Sequence, residues 1–586
     1  MEYKYQFIDN RGVLRVSREA ADPSLILFKG RYYLFPSMTA GFLVSDDLVT
    51  WESYPLKDVP VYDYAPDVRV IGDYIYFSAS KRDEICSYYR TKDPINSGFE
   101  EIPGTFPFWD SNLFVDEDGK IYFYWGCSNV TPVYGVELNP EDMTPKTEPL
   151  ALISGNTDNI GFERTGEDHI PPKTPEQIEA TIQGYISQMP NITEEQLEQL
   201  RMYLSNNPYI EGAWMDKHNG KYYLQYACPG TQYNIYGDGT YISDSPLGPF
   251  QLAKNNPYSY KPGGFIPGAG HGSTMEDKRG NWWHTSTMRI SMNHMFERRL
   301  GIWPAGFDKD GELFCNQRYG DWPMKIEQSN MDPWKDPEWM LLSYKKPVTA
   351  SSSVDGKSPN FASDENVQTW WKAATNHSGE WIQIDLKACL DVRAIQLNFA
   401  DDEMIMELPK GASLKGEATM ARYIDERKYF TRWVLEGSVD GQDYFVIEDK
   451  SQAQTDLPHD FIIKEDGIRV RYIRCTIVEL PYGQNPCISG LRVFGKGEGK
   501  LPIKSAGVLT KQLSDLDLQV QWSEEATATG YNVLWGFAPD KLYHSYMVFG
   551  KNEVKIGALI KGEPVFVRVD TFNEVGITEG DIIKYC

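Results

Sequence analysis

Apolar and polar residues alternate with a period of two along most of this chain, and in its first half the alternation comes as one repeated phrase. A polar or acidic residue leads into a short apolar run, a turn built on Gly, Asp-Gly or Asn-Gly, and then an aromatic-rich run. Five copies begin at Asp22, Asp67, Asp110, Glu211 and His271. Period two marks half-buried strands, and short Gly-containing joints between such runs mark hairpins. Hairpins recurring at this length predict a β-propeller of five blades. Four of the five copies open on a carboxylate, so a radial array would aim Asp22, Asp67, Asp110 and Glu211 at one central pocket.

Between the third and fourth copies, about residues 163 to 208, the period changes. Thr174, Pro175 and Gln177 read as an N-cap, a first-turn proline and a capping-box partner. Ile178, Ile182, Tyr185, Ile186 and Met189 follow at helical spacing, and Thr193 with Gln196 opens a second short helix. This two-helix insertion stands just ahead of Glu211, where it either walls the pocket or decorates one blade. Beyond Trp339 the alternation resumes in two blocks, each of which predicts a β-sandwich. The expected fold is therefore all-β: a five-bladed propeller over 1–335, then β-sandwiches over 340–498 and 503–586.

A chain of 586 residues exceeds what one core supports, which agrees with several domains. Its net charge of -25 makes nucleic acid and anionic membranes poor partners, because both are held through Lys and Arg. No apolar stretch is long enough to span a bilayer. The start at Met1 has neither a charged nor an apolar leader segment, so a native Met1 implies the cytoplasm. If Met1 replaces a removed signal peptide, the protein is secreted or periplasmic. The eight cysteines stand singly, without metal-binding spacing, and read as buried thiols.

Carboxylates gathered on a propeller axis suit glycosidic cleavage. One must protonate the leaving oxygen, and one must attack or activate water. A third raises the acid's pKa by like-charge repulsion. Taken singly, each of these residues also has a structural reading, such as Asp22 starting a turn before Pro23.

The ordered motifs of the first 325 residues resemble glycoside hydrolase family 43. They are Ala21 to Ser24, Tyr64 to Asp67, Trp109 to Gly119, Ile210 to Trp214 and Gly268 to Ser273. The resemblance implies an inverting enzyme in which Asp22 is the general base, Glu211 the general acid and Asp110 the group that tunes and orients Glu211. It places Tyr64, Asp67, Trp109, His271 and Arg289 against the sugar. It also implies that His271 faces a structural calcium ion or its waters on the axis, and no cofactor is required. The alternative for His271 is a bond to neighbouring backbone. Arg289 and the cluster Glu297, Arg298 and Arg299 are candidates for holding Glu211 or a sugar hydroxyl, or for structural ion pairs. Two departures from the family pattern stand out: Trp109 replaces an aliphatic residue and Ala213 a proline. Residues 346–497 resemble discoidin-type sandwiches, on segments such as Trp381 to Leu386 and Trp433 to Gly441, and residues 503–586 resemble fibronectin type III domains.

The activity implied is exo-hydrolysis of terminal α-L-arabinofuranosyl residues from plant cell-wall carbohydrates. β-D-Xylosidase and β-D-galactosidase are the alternatives within the family, and a non-catalytic carbohydrate-binding protein is the alternative outside it.

Overall fold

Each repeated phrase becomes the two inner strands of a four-stranded antiparallel sheet. A computed structural model describes residues 5–9, 14–37, 40–60, 64–81, 84–166, 172–188, 192–326, 330–412 and 422–585. The five sheets are blades 1 to 5, and their first strands are Ser24–Phe28, Tyr64–Ile71, Asn112–Val115, Glu211–His218 and Gly270–Glu276. Every blade uses one continuous stretch of chain. The turns follow the sequence signals: Lys29-Gly30 and Asn219-Gly220 both have two positive φ angles, the twist that tight hairpins favour.

The first strands touch one another in a closed ring. In four of the five blades a side chain two residues past the innermost turn accepts an amide proton from the next blade. Ser24 accepts from Val68 at 3.0 Å, Asp67 from Leu113 at 2.7 Å and Asn112 from Met215 at 2.9 Å. Ser273 closes the ring onto Leu25 at 2.9 Å. Apolar clusters fill the gaps between blades, as where Phe35 and Phe42 of blade 1 meet Phe77 of blade 2.

Helix α1 (Pro175–Gln188) and helix α2 (Glu194–Tyr203) occupy the expected insertion, and both capping boxes form. Met189 lies outside the described residues. Among the described side chains only Ile182 of α1 is buried, and α2 has no buried residue. The end of α2 is tied to blade 3 by Asn129, whose amide donates to the Met202 and Tyr203 carbonyls.

The remaining chain builds two further β units. An eight-stranded sheet from Met340–Leu341 to Cys487–Lys496 wraps a core that includes Trp371 and Trp433. Trp370 and Trp381 are half-buried instead, under Lys357 and Arg474. The last unit packs a three-stranded and a five-stranded sheet around Val520, Val533, Trp535 and Val567.

Residues 5–18 belong to the propeller by position but not by pairing. Their hairpin adds Arg422–Asp425 of the second unit as a third strand. Arg18 then donates to Asp401 at 2.8 Å and to Asp456 at 3.1 Å, all three buried. The last unit meets blades 3 and 4 through backbone: Gly161 N–H donates to the Leu559 carbonyl at 2.8 Å. A Cβ at Gly161 would lie 2.4 Å from the Gly557 carbonyl oxygen, so only glycine permits this approach. Among the described residues, no helix is long and apolar enough to cross a membrane.

Several buried carboxyls hold protons into the neutral range. Burial pushes Asp67 and Asp216 up to about 6 and Glu163 to about 7. Unfolding would return each to an ordinary carboxylate, so between about pH 4 and 7 the folded chain holds protons that the unfolded chain has released. Their contribution to stability is complete below the unfolded pKa values and is lost as pH rises to the folded ones. Asp385 acts oppositely: Arg471 holds it near 2, and its contribution is lost as pH falls below about 4. Thermal unfolding followed across pH should therefore show its highest midpoint near about pH 5. A midpoint that climbs from pH 5 to 7.5 would contradict the balance.

Candidate active site

The innermost turn of every blade is a single residue in the left-handed region: Asp22 (φ 46°), Ala65 (φ 50°), Asp110 (φ 47°), Gly212 (φ 63°) and His271 (φ 53°). In blades 2, 4 and 5 the strand register breaks across this residue, between Tyr64 and Asp67, Glu211 and Trp214, and Gly270 and Ser273. These five positions correspond, which corrects the alignment read from sequence. Asp67 lies two residues past its turn and Glu211 one residue before its own.

The correction changes the expected role of Asp67. Its two oxygens accept from Asn112 Nδ2 at 2.9 Å and from Leu113 N–H at 2.7 Å, joining blade 2 to blade 3. Asp22, Asp110, Glu211 and His271 do converge. His271 Nδ1 stands 3.5 Å from Asp22 Oδ1 and 3.8 Å from Asp110 Oδ2. Gly212 leaves the space for that imidazole, since a Cβ there would lie 2.7 Å from the ring.

Asp22 is buried and held ionised. Burial alone would raise its pKa, but Arg298, His271, Ser37 and Thr287 together bring it below the usual carboxylate value. Ser37 Oγ donates to Oδ2 at 2.5 Å, and Arg298 reaches both oxygens at 3.1 and 3.2 Å. Arg298 also pairs with buried Glu19. Among the described residues no arginine or lysine donates to Asp110. Burial, and then the charges of Glu211 and Asp22, hold it well above the ordinary range, against the pull of His271. His271 is itself raised: Asp22, Asp110, Glu211 and Asp238 overcome the effect of its burial.

Glu211 is buried and accepts two hydrogen bonds. Tyr236 OH donates to Oε1 at 2.6 Å, and the Cys127 thiol donates to Oε2 at 3.0 Å. Tyr236 comes from a loop that two arginines pin: Arg298 donates to Thr231 at 3.2 Å and Arg289 to Asn234 at 2.6 Å. Arg289 thus reaches the loop that carries Tyr236. Trp109 is half-buried beside Asp110, and its carbonyl accepts from Gly126 N–H at 2.9 Å. Tyr64 begins a strand, but its side chain lies outside the described residues. Sequence patterns carried no sign of Tyr236, Cys127, Glu19 or Ser37, because each meets its partner across a blade boundary or from a loop without a motif.

Calcium requires six to eight oxygen ligands. Below His271, Asp238 accepts from His271 N–H at 2.6 Å and from His284 Nε2 at 3.0 Å. Asp216 accepts from Trp214 and Gln225, and Asp67 is occupied between blades. Arg69 brings a positive charge into the same region, 3.5 Å over the Trp214 ring and acting on both Asp67 and Asp216. This donor set does not fit a calcium ion caged by protein oxygens, and His271 turns Nδ1 to carboxylates. Among the described residues one trio, Asp110, Cys127 and Glu211, has ligand atoms within 4.8 Å of one another. Burial, and then both neighbouring carboxyls, keep that thiol protonated, so it presents a donor and not a thiolate.

Residues 171–313, which contain the helices, blade 4 and all but the last two residues of blade 5, match the family model for glycosyl hydrolases family 43. A xylosidase/arabinosidase 43A of Humicola insolens is 26% identical over 342 residues, covering 50% of this chain and 95% of the relative. A β-D-galactofuranosidase of Aspergillus niger is 24% identical over 267 residues, covering 39% and 62% respectively. A β-xylosidase of Xylanibacter ruminicola is 23% identical over 270 residues, covering 39% and 77%.

Proposed function

With a family 43 glycoside hydrolase, an enzyme that hydrolyses glycosidic bonds, as the premise, we propose that this chain removes terminal α-L-arabinofuranosyl residues by direct displacement with inversion. The observation that carries the roles is the contrast between two buried carboxyls on one axis. Asp22 is held ionised by Arg298, whereas Asp110 resists ionisation. An ionised carboxylate suits a base, so Asp22 takes a proton from water as the water oxygen bonds to the anomeric carbon. Glu211 gives its proton to the departing glycosidic oxygen as that bond breaks. Asp110, whose carboxyl lies within 4.8 Å of that of Glu211, takes the orienting role beside the acid. His271 and Arg298 balance the negative charge of Asp22.

Arabinofuranose is supported by one relative named for arabinosidase activity and another named for a furanose sugar. The second reading, β-D-xylosidase, is supported by the relatives named for xylosidase activity. The test is hydrolysis of p-nitrophenyl α-L-arabinofuranoside, β-D-xylopyranoside and β-D-galactopyranoside, with proton NMR of the first sugar released. Preference for the arabinofuranoside with the opposite anomer appearing first is expected. Preference for the xyloside would overturn the sugar, and a retained anomer would overturn the role of Asp22.

A further inference from the structure

We propose that Cys127 is a positioning residue that places the acidic proton on Oε2 of Glu211. The proposal rests on Glu211 acting as the acid. It begins from the two donors on that carboxyl, Tyr236 OH on Oε1 at 2.6 Å and the Cys127 thiol on Oε2 at 3.0 Å. To serve as an acid, Glu211 must carry a proton, and the oxygen that carries it changes from acceptor to donor. That oxygen gives up the hydrogen bond it was receiving.

The two bonds are unequal. The phenol is a strong donor at short range, and Tyr236 is buried, so freeing its hydroxyl would leave a polar group without its partner. A thiol is a weak donor and gives up little. Protonation at Oε2 is therefore the less costly choice. The thiol also lies within 4.8 Å of an oxygen of Asp110, toward which its S–H can turn once Oε2 is protonated. Cys127 thus joins the acid to its modulating carboxyl through a neutral, weakly bonding group. A serine hydroxyl here would bind the carboxylate form more firmly and oppose protonation.

The groups facing this carboxyl are few. Asp110, Cys127 and His271 approach from neighbouring blades, Tyr209 and Tyr236 from flanking loops, and Cys228 from blade 4. Among them, only Cys127 and Tyr236 donate a hydrogen bond to Glu211.

The experiment compares the full-length chain with Cys127→Ser, Cys127→Ala and Glu211→Gln on two glycosides of the preferred sugar. One has an alkyl leaving group that needs protonation, and the other a 2,4-dinitrophenyl group that does not. Cys127→Ser is expected to lose about tenfold in kcat on the alkyl glycoside while staying within about twofold on the dinitrophenyl one. The basic limb of its pH profile should move to lower pH, and that of Cys127→Ala to higher pH. Opposite movements are not what damaged packing produces. Equal losses on both glycosides, or limbs moving the same way, would overturn the proposal. Should Glu211→Gln also lose both substrates equally, the acid assignment itself fails, which separates the two readings.

Discussion

Glu211→Gln should cut turnover of alkyl glycosides by about 10²–10⁴-fold, the usual share of general acid catalysis. The amide keeps the size of the side chain and its carbonyl can still accept from Tyr236, so the loop carrying Tyr236 has no reason to move. What disappears is the proton. Steady-state kinetics on a natural oligosaccharide, with a thermal unfolding midpoint measured beside it, provides the check. Near-normal turnover would remove Glu211 from the reaction. A collapsed midpoint would show the residue to be structural, and Asp110 would then need a new role as well.

The second large effect concerns the last 84 or so residues. Removing 503–586 should leave an insoluble or aggregated protein, because that unit and the propeller share one core. Ile160 pairs with Ile560, Tyr260 meets the ring of Trp535 at 6.1 Å, and Trp322 meets Phe572 at 5.3 Å. Uncovering three side chains of this size forfeits about 5–9 kcal/mol at about 1.5–3 each. That is comparable with the whole stability of an ordinary domain, about 5–15 kcal/mol. Arg164 would also lose its two-pronged pair with Asp517, at 2.9 Å on both oxygens. Size-exclusion chromatography of the truncated chain decides the matter. A soluble monomer with full activity would show that the unit is a detachable appendage.

Much of this architecture was legible in the sequence because strands and hairpins are local. Alternation identifies each inner hairpin, and Thr174 with Gln177 and Thr193 with Gln196 identify two helix starts. The site was legible only in part. Asp22 and Asp110 sit at corresponding turns, but charge alone aligns Asp67 with them, whereas the neighbouring Ala65 holds the equivalent turn. Aligning the small residues or prolines at Pro23, Pro66, Ala213 and Gly272 would have restored the register. Sequence leaves Arg298 open between Glu211, a sugar hydroxyl and a structural ion pair; it pairs with Asp22 and Glu19, since which carboxylate an arginine reaches depends on how blades 5 and 1 close the ring. The partner of the first hairpin is equally non-local. Residues 5–18 precede the blades in the chain, yet they pair with a strand more than four hundred residues later.

The left-handed turns restrict which amino acids these blades can use at their tips. Glycine enters that conformation freely, asparagine, aspartate and histidine enter it more readily than most, and other side chains are strained there. Backbone shape and chemistry therefore draw on the same short alphabet at positions 22, 110 and 271. Asparagine, rather than alanine, is the clean silent replacement for Asp22 or Asp110, because it deletes the charge without adding a conformational penalty. Gly212 has no latitude, since His271 fills the space a Cβ would need. That leaves Ala65, which already tolerates the shape with a Cβ and carries no polar group. Of the five tips, it is where a lineage or a designer could add another axial side chain without redrawing the chain.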